Sequence, residues 1–265
     1  MYAFSYNKAK SVAEASAMLG KDADAKLLAG GQSLIAAMKL RLAQPGALVD
    51  LGTIPELREI KVDAHGVTIG AMTTHATVAR SAEVKKAIPA LAALAGGIGD
   101  RQVRNQGTIG GSIANNDPAA CYPAGCLGLG ATIATNKRKI SADSFFKGMY
   151  ETALEAGEVI TSVSFTVPKR AAYIKFKNPA SRFATVGVFI ADFGSSTRVA
   201  VTGAGPGVFR VTEMEKALAA KFAPESVANI KVSADGLNSD IHASAEYRAH
   251  LITVLAQRAV EAALK

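Results

Sequence analysis

Tryptophan is absent from the 265 residues, and the chain holds only two cysteines and four histidines. Cys121 and Cys126 are too few to carry an iron–sulfur cluster. With His65, His75, His242 and His250 scattered, they also make a poor zinc set. Both are expected as buried or semi-buried free thiols near a helix start. No apolar run is long enough to cross a bilayer, and Met1 to Lys8 lacks the charged-then-apolar plan of a secretory signal, so a cytoplasmic location is expected. No Ser, His and Asp arrangement with recognisable surroundings is present, so hydrolytic catalysis is not expected.

Lys and Arg number 30 against 22 Asp and Glu, a formal net charge of +8. Aromatic residues do not interleave with these charges, which removes the stacking platform of a nucleic-acid binder. A surface that docks on an acidic partner subunit is the better use of the charge. The tight cluster Lys137-Arg138-Lys139 reads as a solvated hairpin turn.

With 49% hydrophobic residues there is ample material for a core. Ser11 caps a short amphipathic helix ending at Gly20. Lys26 to Ala29 reads as a strand, Leu34 to Leu42 as a helix stopped by Pro45-Gly46, and Leu48 to Leu51 as the next strand. Val67 to Ala71 reads as a strand followed by a helix capped by Thr73 or Thr74. Ala87 to Ala95 is an apolar helix ending in the flexible bend Gly96 to Asp100. Further strands are expected at 131–135, 159–167, 173–176 and 199–203, helices near Ser144 and Glu213, and a long amphipathic helix over 243–265. The pattern is α+β, unlike a doubly wound sheet. Turn signals at Pro55 and at Pro168 to Arg170 divide the chain into 1–56, 57–169 and 170–265.

Two glycine-rich stretches carry the functional signal: Ala29-Gly30-Gly31-Gln32-Ser33-Leu34 and Thr108-Ile109-Gly110-Gly111-Ser112-Ile113-Ala114-Asn115-Asn116-Asp117-Pro118. Paired glycines let main-chain N–H groups approach an anion without a Cβ in the way, and the neighbouring hydroxyls and amides add donors. Neither stretch has the Walker lysine or the Rossmann glycine spacing. The first reads as strand, glycine turn and helix, with a helix start aimed at a phosphate-bearing ligand. Both loops are expected to offer backbone donors to that one ligand.

These two stretches, with Leu40-Arg41-Leu42, Ile69-Gly70-Ala71-Met72-Thr73-Thr74 and Tyr247-Arg248-Ala249-His250-Leu251, resemble the FAD-binding medium subunit of the molybdenum hydroxylases, the xanthine dehydrogenase and aerobic carbon monoxide dehydrogenase family. The resemblance spans essentially the whole chain. It implies the fold type of vanillyl-alcohol oxidase: two α+β subdomains clasping FAD, then a C-terminal α+β domain with a small antiparallel sheet. It also implies that Ala29, Gly30, Gly31, Gln32, Ser33 and Leu34, with Thr108, Gly110, Gly111 and Ser112, hold the FAD diphosphate. Asn115 and Asp117 extend that loop, while Ile98, Phe183, Lys177 and Ile160 fall where relatives contact the flavin ring.

By the same resemblance, a large subunit carries a molybdopterin-type molybdenum cofactor and a small subunit carries two 2Fe-2S clusters, in a dimer of heterotrimers. The flavin chain passes their electrons to an external acceptor. Three departures stand out: Cys121-Tyr122-Pro123 where relatives carry Asp-x-Pro, Phe183 where they often carry Tyr, and Arg182 where an acidic residue is usual. The residues leave two other classes open, a stand-alone FAD-dependent oxidoreductase of the same fold and a noncatalytic anion-binding protein.

Overall fold

The computed structural model describes residues 1–265, with a chain that is mixed α+β throughout. Residues of the first unit form a parallel three-stranded sheet, in the order β1 (Ser5–Lys8), β3 (Ala47–Asp50), β2 (Lys26–Leu28). Helices α1 (Val12–Lys21) and α2 (Leu34–Lys39) are the crossovers. Strand–helix alternation therefore does occur locally, contrary to the sequence reading, which missed β1. That strand is exposed along its whole length and carries no apolar pattern to betray it. Ser11 caps α1 as expected, its Oγ accepting from the Glu14 N–H at 3.1 Å. The helix continues one residue past Gly20.

A 3-10 turn at Pro55–Arg58 leads into a five-stranded antiparallel sheet. Its strands are β4 (Ile60–Asp63), β5 (Gly66–Gly70), β10 (Ile160–Phe165), β6 (Thr132–Thr135) and β7 (Lys139–Ser141), in that spatial order. Six helices follow: α3 (His75–Arg80), α4 (Ala82–Ala87), α5 (Pro89–Gly96), α6 (Arg101–Gln106), α7 (Ile109–Asn115) and α8 (Cys121–Gly128), of which α4 and α7 pack on the sheet, α3, α5 and α8 share its apolar core, and α6 docks on α3. Helix α9 (Ala142–Phe145) and the two-stranded pair β8 (Phe146–Gly148) and β9 (Glu151–Thr152) complete this unit. Thr74, not Thr73, caps α3. The apolar helix read from Ala87 starts two residues later, because Pro89 cannot donate to a continuing helix and becomes the start of α5, while Ala87 ends α4. Cys121 and Cys126 are buried free thiols in α8.

The last unit is an antiparallel meander of β11 (Arg170–Lys177), β12 (Ala184–Asp192), β13 (Thr197–Thr202) and β14 (Phe209–Arg210), with α10 (Thr212–Ala220), α11 (Glu225–Ala228) and the long α12 (Ala245–Leu264). Every residue of β12 is buried. Val186, Val188 and Ile190 face the core shared with α12, whereas Phe189 and Ala191 join the core of the middle unit. One strand thus seals two cores with its two faces, and because both faces are apolar it shows no alternation in sequence. That is why the sequence reading passed over 184–192.

Lys137-Arg138-Lys139 is the β6–β7 hairpin turn, but Arg138 is not simply solvated. Its guanidinium donates to both Glu158 carboxylate oxygens at 3.0 and 3.1 Å and to the Ala153 carbonyl at 2.7 Å. Glu158 is buried, and also accepts from Thr135 Oγ1 and the Glu155 N–H. The hydrogen bond from Arg138, helped by Thr135 and the Glu155 amide, holds the Glu158 carboxyl down at about 2, from an ordinary 4.5. Because the folded value is depressed, the charged carboxylate stabilises the fold fully above pH 4.5 and loses that contribution as pH falls towards 2. Glu158→Gln is expected to cost about 3 kcal/mol at neutral pH. Denaturant midpoints measured against pH should also lose their slope in that acid window.

Candidate functional site

Strand β2 runs directly into Ala29-Gly30-Gly31 and then α2, the strand–turn–helix expected from sequence. Gly31 has φ +70°, and a Cβ there would meet Ile35 Cγ1 at 2.9 Å, so glycine is required for the chain to turn into the helix. None of the main-chain N–H groups from Ala29 to Leu34 donates to an acceptor in the protein, and Ser33 leaves its hydroxyl uncommitted at the start of α2. A run of unpaired amides on one turn is a concave array of partial positive charge, which favours an anion.

The second stretch differs from its expected form. Thr108 to Asn115 is not a backbone loop following a strand but the capped helix α7, preceded by the short helix α6. Its amides are largely committed: Ile109 donates to the Thr73 carbonyl at 3.1 Å, Gly110 to Ala71 at 2.8 Å, Gly111 to Thr108 Oγ1 at 3.1 Å and Ser112 to the Thr108 carbonyl at 3.0 Å. Only the Thr108 N–H is left without a protein acceptor. The expectation of backbone donors from both loops is therefore corrected to donors chiefly from the first. The glycines of the second serve close packing, since a Cβ on Gly110 would lie 2.6 Å from the Ala71 Cβ.

That packing brings the two stretches together. The backbone of Gly30 lies against the Gln106 carbonyl and the Gly107 Cα so closely that no Cβ fits between them. A Cβ on Gly111 would sit 3.4 Å from that of Ala29. The free amides of the first turn thus share one wall with Thr108, Gly111 and the half-buried Ser112.

Lys175 joins the next wall. Its ammonium donates to the Gly97 carbonyl at 2.8 Å, to the Arg182 carbonyl at 3.0 Å and to Cys121 Sγ at 3.3 Å, so one side chain ties the 96–99 bend to the β11–β12 connection. The half-buried Ile98 lies on that bend, held from the other side by Arg104, which donates to the Ile98 and Gly99 carbonyls at 2.8 and 2.9 Å. Phe183 is exposed at the end of the connection, next to Arg182 with φ +62°, and Lys177 lines the cleft between bend and connection.

The remaining expected residues are less accessible. Ile160 is 5% exposed in the core, beneath α7. Asn115 is half-buried at the end of α7. Asp117 uses one carboxylate oxygen on the Ala119 N–H at 2.8 Å and the other on Tyr150 Oη at 3.4 Å. Lys175, Arg104 and all of α6 escaped the sequence reading. For α6, the Asp100 cap that accepts from the Val103 N–H was the available signal. Arg248, in the C-terminal signature, is buried and anchors α12 by donating to the Thr185 and Gly203 carbonyls and to Asp240.

His75 completes the support of the second stretch. Its main-chain N–H donates to the Gly107 carbonyl at 2.9 Å, and a Cβ on Gly107 would lie 2.6 Å from its Nε2. Its Nδ1 is buried without a partner. Burial, assisted by the nearby positive charge of Arg104, pushes its pKa from 6.5 down to about 4, so the ring is neutral in the folded protein. Stability should be complete above pH 6.5 and fall by about 3 kcal/mol as pH drops towards 4, where the unfolded chain binds the extra proton. Equilibrium unfolding of His75→Gln should lack this slope while retaining the one from Glu158 at lower pH.

Comparison with known proteins places this geometry. Residues 2–169 match the family model described as the FAD binding domain in molybdopterin dehydrogenase, and residues 171–263 match the CO dehydrogenase flavoprotein C-terminal domain. The chain belongs to the FAD-binding medium subunits of the molybdenum hydroxylase family. It is 37% identical to the nicotine 6-hydroxylase medium subunit of Paenarthrobacter nicotinovorans, over 97% of this chain and 96% of that one. Identity is also 37% to the carbon monoxide dehydrogenase medium chain of Hydrogenophaga pseudoflava, over 98% and 96%.

Among solved structures, the carbon monoxide dehydrogenase of H. pseudoflava lacking the Mo-pyranopterin moiety superposes with a TM-score of 0.90 at 38% identity, covering 99% of this chain and 98% of that one. Quinoline 2-oxidoreductase from Pseudomonas putida 86 gives 0.89 at 31% identity, covering 99% and 97%. As a medium subunit of this family, the chain is the FAD-binding component of an oxidoreductase. No helix is long and apolar enough to cross a membrane.

Proposed function

We propose that this chain is the electron-outlet subunit of a heteromeric molybdenum hydroxylase. In this reading it takes electrons from a small subunit with 2Fe-2S clusters, which receives them from a large subunit holding the molybdenum cofactor, and delivers them to an external acceptor. The assembly is a dimer of heterotrimers, and the chain works in three units, 1–56, 57–169 and 170–265. The observation that carries the reading is the run of unpaired amides from Ala29 to Leu34, packed against Gly107 and Gly111. An amide array of this kind suits the diphosphate of a dinucleotide, and a Cβ at Gly30 would push it away from Gln106 and Gly107.

The residues divide the work. Ala29, Gly30, Gly31, Gln32, Ser33 and Leu34 bind the diphosphate through main-chain N–H groups and the Ser33 hydroxyl. Thr108, Gly110, Gly111 and Ser112, with Asn115 and Asp117 behind them, complete the same wall. Thr108 supplies its N–H, and Gly110 and Gly111 permit the approach. Ile98 and Phe183 enclose the flavin ring, Lys177 lies at its edge, and Ile160 supports the wall from the core. Lys175 fixes the spacing between the Ile98 bend and the Phe183 connection, because its three acceptors lie on both sides. Bound FAD supplies the redox chemistry, and the protein supplies position, shielding and charge. No side chain acts as a catalytic acid or base.

Purified chain incubated with FAD and desalted should be yellow, with flavin bands in the near-ultraviolet and blue. A colourless preparation at saturating FAD overturns the reading. Gly30→Ala forces the backbone away from Gln106 and should weaken FAD binding at least ~10-fold. Gly20→Ala, where a Cβ has open space, should leave binding unchanged. Co-purification with the two partner subunits, carrying molybdenum and iron–sulfur spectra, tests the assembly.

A further inference from the structure

Five arginines, Arg138, Arg170, Arg198, Arg210 and Arg248, each hold a carboxylate within ion-pair distance. Around Gly96 the pattern reverses. Two clefts of about 360 and 380 Å³ adjoin there, sharing Gly96 and Arg104. Arg80 and Arg101 line the first, Lys177 and Arg182 line the second, and no Asp or Glu lines either. None of these four side chains takes part in an ion pair. Arg104 is bonded to the Ile98 and Gly99 carbonyls, which orient its guanidinium without cancelling its charge.

Like charges gathered around one concavity raise the energy of the empty site and lower that of an anion held there, and they speed the arrival of anions from solution. The FAD diphosphate is not that anion. Its amide array lies at the Gly107 end of α6, whereas Arg101 stands at the opposite end, and a six-residue helix separates the two by roughly 9 Å.

We propose that the double cleft around Gly96 is the docking site for an anionic electron acceptor, a small oxidant whose phosphate, sulfonate or carboxylate group is held by Arg80 and Arg101. The inference rests on the FAD reading, because the 96–99 bend and Lys177 that separate and line the clefts are also the walls assigned to the flavin ring. One two-electron acceptor, or two one-electron acceptors in turn, takes up the two electrons of the reduced flavin. The accompanying two protons pass to the acceptor or to water. Arg80 and Arg101 make no covalent step; they hold the acceptor's charge across the bend from the ring.

The test uses hexacyanocobaltate(III), a redox-inert trivalent anion, titrated calorimetrically into the full chain with and without FAD. One saturable site is expected. Arg80→Gln/Arg101→Gln should weaken it at least ~10-fold, while Lys216→Gln/Lys221→Gln, which removes the same charge from α10 and the residue that ends it, should change it less than ~2-fold. In FAD-loaded, photoreduced protein the Arg80/Arg101 double variant should slow reoxidation by ferricyanide by a similar factor and should not slow hexaammineruthenium(III), a cation. A wild-type chain that binds FAD but has no saturable anion site overturns this inference alone, as does a double variant that binds and reacts with anions like wild type. A chain that takes up no FAD overturns the FAD reading, and the acceptor role with it.

Discussion

The structure depends on one close approach, the backbone of Gly30 lying against the Gln106 carbonyl and Gly107. It unites a turn from the parallel N-terminal sheet with a helix start from the antiparallel middle sheet, two layers that share no strand. Because the contact is backbone on backbone, a single methyl group at Gly30 is enough to part them. The same contact leaves the amides of the first turn facing outward and unpaired, which is costly in a folded protein unless a ligand or water satisfies them. The unpaired amides and the absence of a side chain at Gly30 are thus two consequences of one geometric requirement.

Around this contact the chain builds supports of different kinds. Asp100 and Thr108 cap the short helices on either side of Gly107, and the neutral ring of His75 packs against Gly107 itself. Lys175 and Arg104 hold the 96–99 bend from two sides through its carbonyls. Farther out, β12 seals the middle and C-terminal cores together, while the segment before α8 docks on the C-terminal sheet: Thr202 Oγ1 donates to the Pro118 and Ala120 carbonyls. The 96–99 bend is therefore held by hydrogen bonds, while the elements around it are fixed by buried apolar packing.

Much of this was legible in the sequence. The strand, glycine turn and helix at 26–39, the buried thiols, the Ser11-capped helix and the long C-terminal helix could be read because each has a local signal of cap, turn residue or period. The elements missed were those whose signal is not local. Strand β12 is apolar on both faces, β1 is apolar on neither, and α6 is a single polar turn whose helical state is set by its Asp100 cap and its docking on α3. The second glycine stretch was misread for a related reason. Glycine pairs permit both an anion loop and close packing, and only the tertiary partners Ala71 and Ala29 show that here packing uses them. The functions of Lys175 and Arg104 were invisible because their partners are carbonyls from distant or irregular segments.

The central claim is that unpaired amides of one turn, Ala29 to Leu34, hold the dinucleotide against the capped helix that starts at Thr108. Hydrogen–deuterium exchange of the chain with and without saturating FAD tests it most directly, because it reads individual amide groups. The account predicts that FAD slows exchange strongly across 30–34 and at Thr108, and changes 109–112 little, since those amides are already bonded within the protein. Bound FAD with exchange at 30–34 left as fast as in the free chain would contradict it.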